Sequence, residues 1–205
     1  MILSIILTIM TFGLFLYGLQ KYNYAILLGL FLLIVGFSYI AVRVYGKKNP
    51  LNKDHAIKIY FRVILAFYFF FLFSLTFNIN RETAEIAFDR DTLLTRLYKD
   101  SNLVPFRTIR SICQNDFLSS FAIINIVGNI GALMPLGVLL PLVFPKARKL
   151  LPFILMVTGV VLFIEIVQLI FGVGKLDIDD LILNVAGAVI AFGLFRIITK
   201  LRQER

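Results

Sequence analysis

Six apolar runs constrain this chain more than any other feature, because each is close to the roughly 20 residues that a helix needs to cross a hydrocarbon core. They cover residues 2–19, 22–42, 59–79, 117–144, 152–171 and 178–198. The first carries no charge, and with no basic stretch before it and no small-residue cleavage site after it, it reads as a retained span rather than a signal peptide. The second ends at Arg43, and in the third Arg62 sits one turn in, where it can snorkel to the interface. The fourth is polar-flecked and is expected to break at Pro135 and Pro141. Composition agrees: 60% of the 205 residues are hydrophobic and 16% charged, against about 45–50% and about 25% in soluble domains. A soluble domain of this size cannot hide that excess, so lipid must supply part of the solvent. A soluble enzyme, a disordered tail and a disulfide-stapled secreted domain are excluded, the last because Cys113 is the only cysteine. The expected fold is all-α, a polytopic membrane bundle of six transmembrane helices.

Basic residues in the connections set the orientation. The second connection carries Arg43, Lys47, Lys48, Lys53 and Lys58, the fourth Lys146, Arg148 and Lys149, and the tail Lys200, Arg202 and Arg205. These alternate correctly for six spans, which puts them in the cytoplasm together with both termini. The short 20–23 link, the 80–116 segment and the turn around 172–177 then face outside. The organisation expected is two N-terminal helices with a basic loop (1–58), a four-helix membrane domain (59–198) and a basic tail (199–205). Within the long segment, 82–98 suits a surface helix, and Pro105 marks an extended return toward the bilayer. The Phe-rich stretch 67–73 reads as lipid-facing or interhelical packing. The net charge of +9 needs no nucleic-acid partner, since no recognition motif accompanies it and an anionic leaflet attracts the cytoplasmic excess.

Polar groups at membrane depth are costly and point to function. Glu165 lies about 9 Å below the outer edge of the fifth run, counting 1.5 Å per residue, and Gln168 follows on the same face. On the sixth run Asp177, Asp180, Asn184, Gly187 and Ala191 form one polar-then-small stripe, while Asp179 points elsewhere. Asn125 and Asn129 share a face of the fourth, about 12 and 18 Å down. Gly128 and Gly131 beside them are expected to admit a close backbone. Three helices thus place polar groups in the outer half of the membrane, as a shared outward-facing pocket. Such Asn and Gln residues also suit simple interhelical hydrogen bonds. Three carboxyl groups do not, because crowded carboxylates repel, and one must hold a proton or share a cation.

Four pieces occur in order: Asn-Leu-Val-Pro-Phe at 102–106, Asn125 and Asn129 continuing through Pro135 to Pro141, Glu165 with Gln168, and Asp177 through Asp180 and Asn184 to Gly187. Together, over roughly 59–198, they resemble the VanZ-like family of bacterial membrane proteins. Many relatives carry an Arg before the first Asp, where this chain has Lys175; a Lys would hold a phosphate without the bidentate fork. The resemblance implies a multi-pass protein of the bacterial cell membrane with a role in resistance to lipoglycopeptides, teicoplanin in particular. Teicoplanin's acyl chain distinguishes it from vancomycin, and an intramembrane site can read such a chain.

Two functional readings follow. In the first, the protein handles envelope lipids or binds a lipoglycopeptide or lipid-linked cell-wall precursor, with Asn125, Asn129, Gln168, Lys175, Asp177, Asp180 and Asn184 as ligand-binding residues. In the second, it is an enzyme on a lipid-linked precursor, with Glu165 as the candidate catalytic acid or base and Asp177 and Asp180 as candidate ligands of a divalent cation. A proton-coupled transporter is disfavoured because the inner halves lack a second polar site. Arg107 and Arg110 either reach a phosphate head group or simply sit at the interface. Cys113 and His55 carry no catalytic pattern.

Overall fold

The computed structural model describes residues 1–21, 24–76, 90–116, 120–172 and 174–204. Among them no strand forms, and nine α-helices are present: α1 (Ile2–Lys21), α2 (Tyr24–Lys48), α3 (Lys53–Thr76), α4 (Arg90–Thr95), α5 (Arg107–Asp116), α6 (Ser120–Ala132), α7 (Met134–Val143), α8 (Leu150–Phe171) and α9 (Ile178–Gln203). Five helical stretches are long and apolar enough to cross a membrane: Ile26–Lys48, Pro50–Ser74, Asn125–Val143, Leu150–Phe171 and Ile178–Gln203. The sixth expected span corresponds to α1, whose described apolar stretch, Ile2–Phe15, is shorter than that length. The chain is a helical, multi-pass membrane protein.

It divides into two compact units, Met1–Asn78 and Ile79–Arg205. In the first, α1–α3 pack through aromatic side chains. Phe31 stacks on Phe67 and Phe71, with ring centroids 5.3 and 5.0 Å apart, and Phe15 meets Phe67 edge-on at 5.1 Å. Phe70 and Phe73 are exposed, so the Phe-rich stretch supplies both interhelical and outward-facing rings. Tyr60 donates its hydroxyl to the Val35 carbonyl at 2.9 Å, which satisfies the one polar atom that this buried ring brings inside.

In the second unit α9 is the central post. Close packing on it rests on two glycines. A Cβ on Gly187 would stand 1.9 Å from the Ile130 carbonyl oxygen of α6, and one on Gly137 would meet Ala188 and Ala191 at 2.6 Å. Phe153 of α8 stacks on Phe192 at 4.4 Å and seals the other side. The close approach expected at Gly128 and Gly131 does not occur: a Cβ there would meet nothing within 4 Å. Both are exposed, because α6 turns its Asn129 and Ile130 side toward α9.

The expected break at Pro135 is present, and the one at Pro141 is not. Pro135 lacks an N–H and its ring crowds the carbonyl four residues back, so the helix stops at Ala132 and restarts at Met134 with the proline in its first turn. Pro141 is accommodated inside α7, and Arg148 donates its Nε–H to the Pro141 carbonyl at 3.2 Å. In the long connection the 82–89 part of the expected surface helix lies outside the described residues, as do residues 22–23 of the 20–23 link. The rest is helical as α4, followed by a π-helical turn, Arg96–Asp100. Chain direction reverses differently from expectation near Pro105: the extended part is at Ser101 and Asn102, and Pro105 sits in the turn that starts α5.

Gly187→Ala should cost about 1–3 kcal/mol through forced separation of α6 and α9. Gly193→Ala, where a Cβ has open space, should be neutral or slightly stabilising through helix propensity. Unfolding titrations of the two variants in mixed micelles measure both effects.

Candidate functional site

Between α8 and α9 the chain turns within a few residues, and both helix ends are finished by side chains. Gly172 closes α8 in the left-handed region (φ 67°), and Arg96 donates Nη1–H to the Leu169 and Ile170 carbonyls, each at 3.1 Å. A Cβ at Gly172 would collide with that guanidinium at 2.7 Å, so this position needs glycine for two reasons. Asp177 caps α9 by accepting the Asp179 N–H at 2.8 Å.

The 102–109 segment docks onto this turn. Asn102 and Asp177 form a parallel bridge, with the Asn102 N–H on the Leu176 carbonyl (2.8 Å) and the Ile178 N–H on the Asn102 carbonyl (2.9 Å). The Asp177 carboxylate accepts from Asn102 Nδ2 at 3.0 Å and from the Thr108 hydroxyl at 2.7 Å, so both of its oxygens are engaged. Asp179, fully buried at 0% exposure, accepts the backbone N–H groups of Phe106, Thr108 (2.7 Å) and Ile109 (3.1 Å). One helix start thereby caps another: the carboxylate occupies the anion site that the first turn of α5 offers.

Below this lies a second group of polar residues. Glu165 is 6% exposed, and its Oε2 accepts the Asp177 N–H at 3.3 Å. Asn129 donates to Asp180, while Asn184 donates to the Asp180 carbonyl at 2.8 Å and reaches Asn129 Oδ1 at 3.5 Å. The stripe on α9 therefore does both jobs visible in its sequence, polar contacts at Asp180 and Asn184 and close packing at Gly187. Gln168 lies against Gly174, whose added Cβ would meet it at 3.0 Å. Asn125, one turn from Asn129, has a buried Oδ1 with no hydrogen-bond partner. Lys175 is exposed and pairs with none of the acids; among the described residues the ion pair that forms is Lys200–Glu204, on α9 and its C-terminal cap.

Four carboxyl groups, those of Glu165, Asp177, Asp179 and Asp180, thus meet at one end of the bundle, and the donors shown for them are N–H, O–H and amide groups. Asp177 and Asp179 are neutralised in effect by N–H and O–H donors. Glu165 and Asp180 keep the oxygens that a proton, a cation or a donor group on a ligand can meet. Among the described residues no group of three or more His, Cys, Asp or Glu is placed to hold a metal ion. Sequence reasoning passed over Asp179, Thr108 and Arg96. For Asp179 the signal was its position off the polar stripe, which required some other partner; for Thr108, its place just after the 102–106 motif. Arg96 gave no signal, because its acceptors are carbonyls of a helix end about 73 residues away.

Fold and site together define a multi-pass helical membrane protein with an acid-and-amide cluster at one end of its C-terminal unit. The VanZ/LLP1 family model matches residues 63–199, more than half of the chain, and the chain belongs to that family. No curated protein and no solved structure matches it.

Asp179→Asn should lower stability by about 2–4 kcal/mol, since the amide loses the charge and one acceptor oxygen facing three N–H donors. Asp180→Asn should cost less, because an amide can still pair with Asn129. Side-by-side unfolding titrations in mixed micelles measure the difference.

Proposed function

We propose that this VanZ-family protein works at the outer leaflet of a bacterial cell membrane, where its acid-and-amide cluster engages an envelope lipid, a lipid-linked cell-wall precursor or an acylated lipoglycopeptide such as teicoplanin. The observation that carries this reading is Glu165: a buried carboxyl on an apolar helix, one hydrogen bond from the α9 cap and without a cationic partner among the described residues. A carboxyl held this way is expensive as mere packing, since an unpaired acid in low dielectric destabilises the fold. Asp180, Asn129 and Asn184 add directional donors and acceptors beside it, and the buried, unpartnered Oδ1 of Asn125 adds a further acceptor on the same helix face as Asn129. Gln168, in the last turn of α8, and Lys175, in the turn that follows, complete the set. Sidedness follows from charge. Lys146, Arg148 and Lys149 precede α8, and Lys200 and Arg202 end α9, so antiparallel α8 and α9 carry basic residues at one end and Asp177, Asp179 and Asp180 at the other.

A second reading is an enzyme on a lipid-linked precursor, with Glu165 as general acid or base. What favours it is the second Glu165 oxygen, which makes no hydrogen bond among the described residues, the first accepting the Asp177 N–H. Under this reading Asp180 is the better of the two candidate cation ligands, because both oxygens of Asp177 already accept donors.

Expressed in a sensitive Gram-positive host at matched membrane levels, the wild-type chain should raise the teicoplanin tolerance severalfold with little change for vancomycin, and Glu165→Gln should abolish the gain. Cys113, exposed and the only cysteine, should react with an impermeant maleimide in intact cells. Absence of teicoplanin protection by the wild type would remove the antibiotic from the reading. Labelling of Cys113 only after lysis would reverse the orientation. Altered lipid head groups in cells carrying wild type but not Glu165→Gln would favour the enzyme.

A further inference from the structure

The turn ahead of α5 lies outside every stretch able to span a membrane, yet it presents large apolar side chains: Leu103, Val104 and Phe106 are 59%, 57% and 60% exposed. Phe106 does so at φ 64°, a left-handed conformation that a bulky L-residue rarely adopts. The strain is held by Asp179, whose buried carboxylate grips the N–H groups of Phe106, Thr108 and Ile109. Directly after the turn, Arg107 and Arg110 stand one helical turn apart on α5, both exposed and neither paired within the described residues. Ile112 is buried and Ile109 half-buried, so α5 lies with its apolar side on the bundle and its arginines outward. Exposed apolar side chains next to free cations, beside the ends of spanning helices, form the pattern of an element seated in the headgroup region.

We propose that the 103–106 turn with Arg107 and Arg110 is a binding element for the phosphate-bearing headgroup of a membrane lipid, with Leu103, Val104 and Phe106 inserted among the acyl chains. Charge decides the headgroup. The N–H groups of the α5 start are already taken by Asp179, so the backbone has no anion site left and the two guanidiniums must supply it. They suit a phosphate because each offers a planar fork of donors. This assignment goes beyond the reading of the Glu165 cluster and does not depend on it. It is tested on purified protein, whereas that reading is tested in cells.

Native mass spectrometry of the detergent-solubilised full chain, titrated with dioleoyl phosphatidic acid, reads the interaction directly. The wild type should bind it about thirtyfold more tightly than the Arg107→Gln/Arg110→Gln variant, at roughly the free energy of two basic contacts to an anionic headgroup. Dioleoylglycerol, with the same chains and no phosphate, should bind as weakly as phosphatidic acid binds the double variant, and millimolar inorganic phosphate should not displace the lipid. Phe106→Gly should also weaken binding while leaving thermal stability unchanged, because glycine adopts the positive φ without strain. Lys200→Gln, in the last turn of α9 at its far end, should bind like wild type. Equal affinity of the wild type and the double variant would overturn the proposal. So would full displacement by inorganic phosphate, or a loss at Lys200→Gln as large as that of the double variant.

Discussion

The arrangement of the C-terminal unit depends on where the carboxylate of Asp179 goes. A buried anion in a membrane bundle needs several strong donors, and here they are three N–H groups at the start of α5, with no cation among the described residues involved. That contact ties a chain segment some 70 residues upstream to the first turn of α9. Once it is made, Asn102 falls into register with Asp177, Thr108 reaches the Asp177 carboxylate, and the N–H of Asp177 is left pointing at Glu165. The carboxylates of Asp177 and Asp179 are thus engaged by donors within the fold, and the Asp177 N–H links them to Glu165.

The lower layer is where chemistry remains available. Asp180 is held by Asn129 from α6, and Asn184 straps both to the α9 backbone, while Gly187 one turn below lets α6 come close enough for those contacts. A stripe in which polar residues are followed by small ones gives both the hydrogen bonds and the short interaxial distance that they require. Glu165 enters from α8 into the same region. The layout separates acids that are consumed by folding from acids that retain open oxygens, and only the latter suit a ligand or a proton.

Much of this was legible in the sequence because membrane crossing leaves few options. The apolar runs, five of which are long enough to span, follow from hydropathy alone, and the polar-then-small face of α9 follows from helical periodicity. Pro135 and Pro141 look alike in sequence, but only the fold shows that the first opens α7 while the second sits inside it, with its own carbonyl met by Arg148 near the helix end. Gly128 and Gly131 looked like the contact glycines, whereas Gly187 and Gly137 are, since which face of α6 meets α9 is a tertiary property. The docking of 102–109 on the α9 start was not readable either. It is made of backbone donors and one carboxylate far apart in the chain, and nothing local announces it beyond an aspartate that does not share the stripe of its neighbours.

Amide hydrogen exchange tests most directly whether Asp179 holds the start of α5. The first N–H groups of a helix normally face water and exchange quickly. In the wild-type chain in detergent, the amides of Phe106, Thr108 and Ile109 should exchange slowly, and in Asp179→Asn they should approach the rates of free peptide while the apolar core of α8 and α9 remains protected. Free-peptide exchange at these three amides in the wild type would contradict the account.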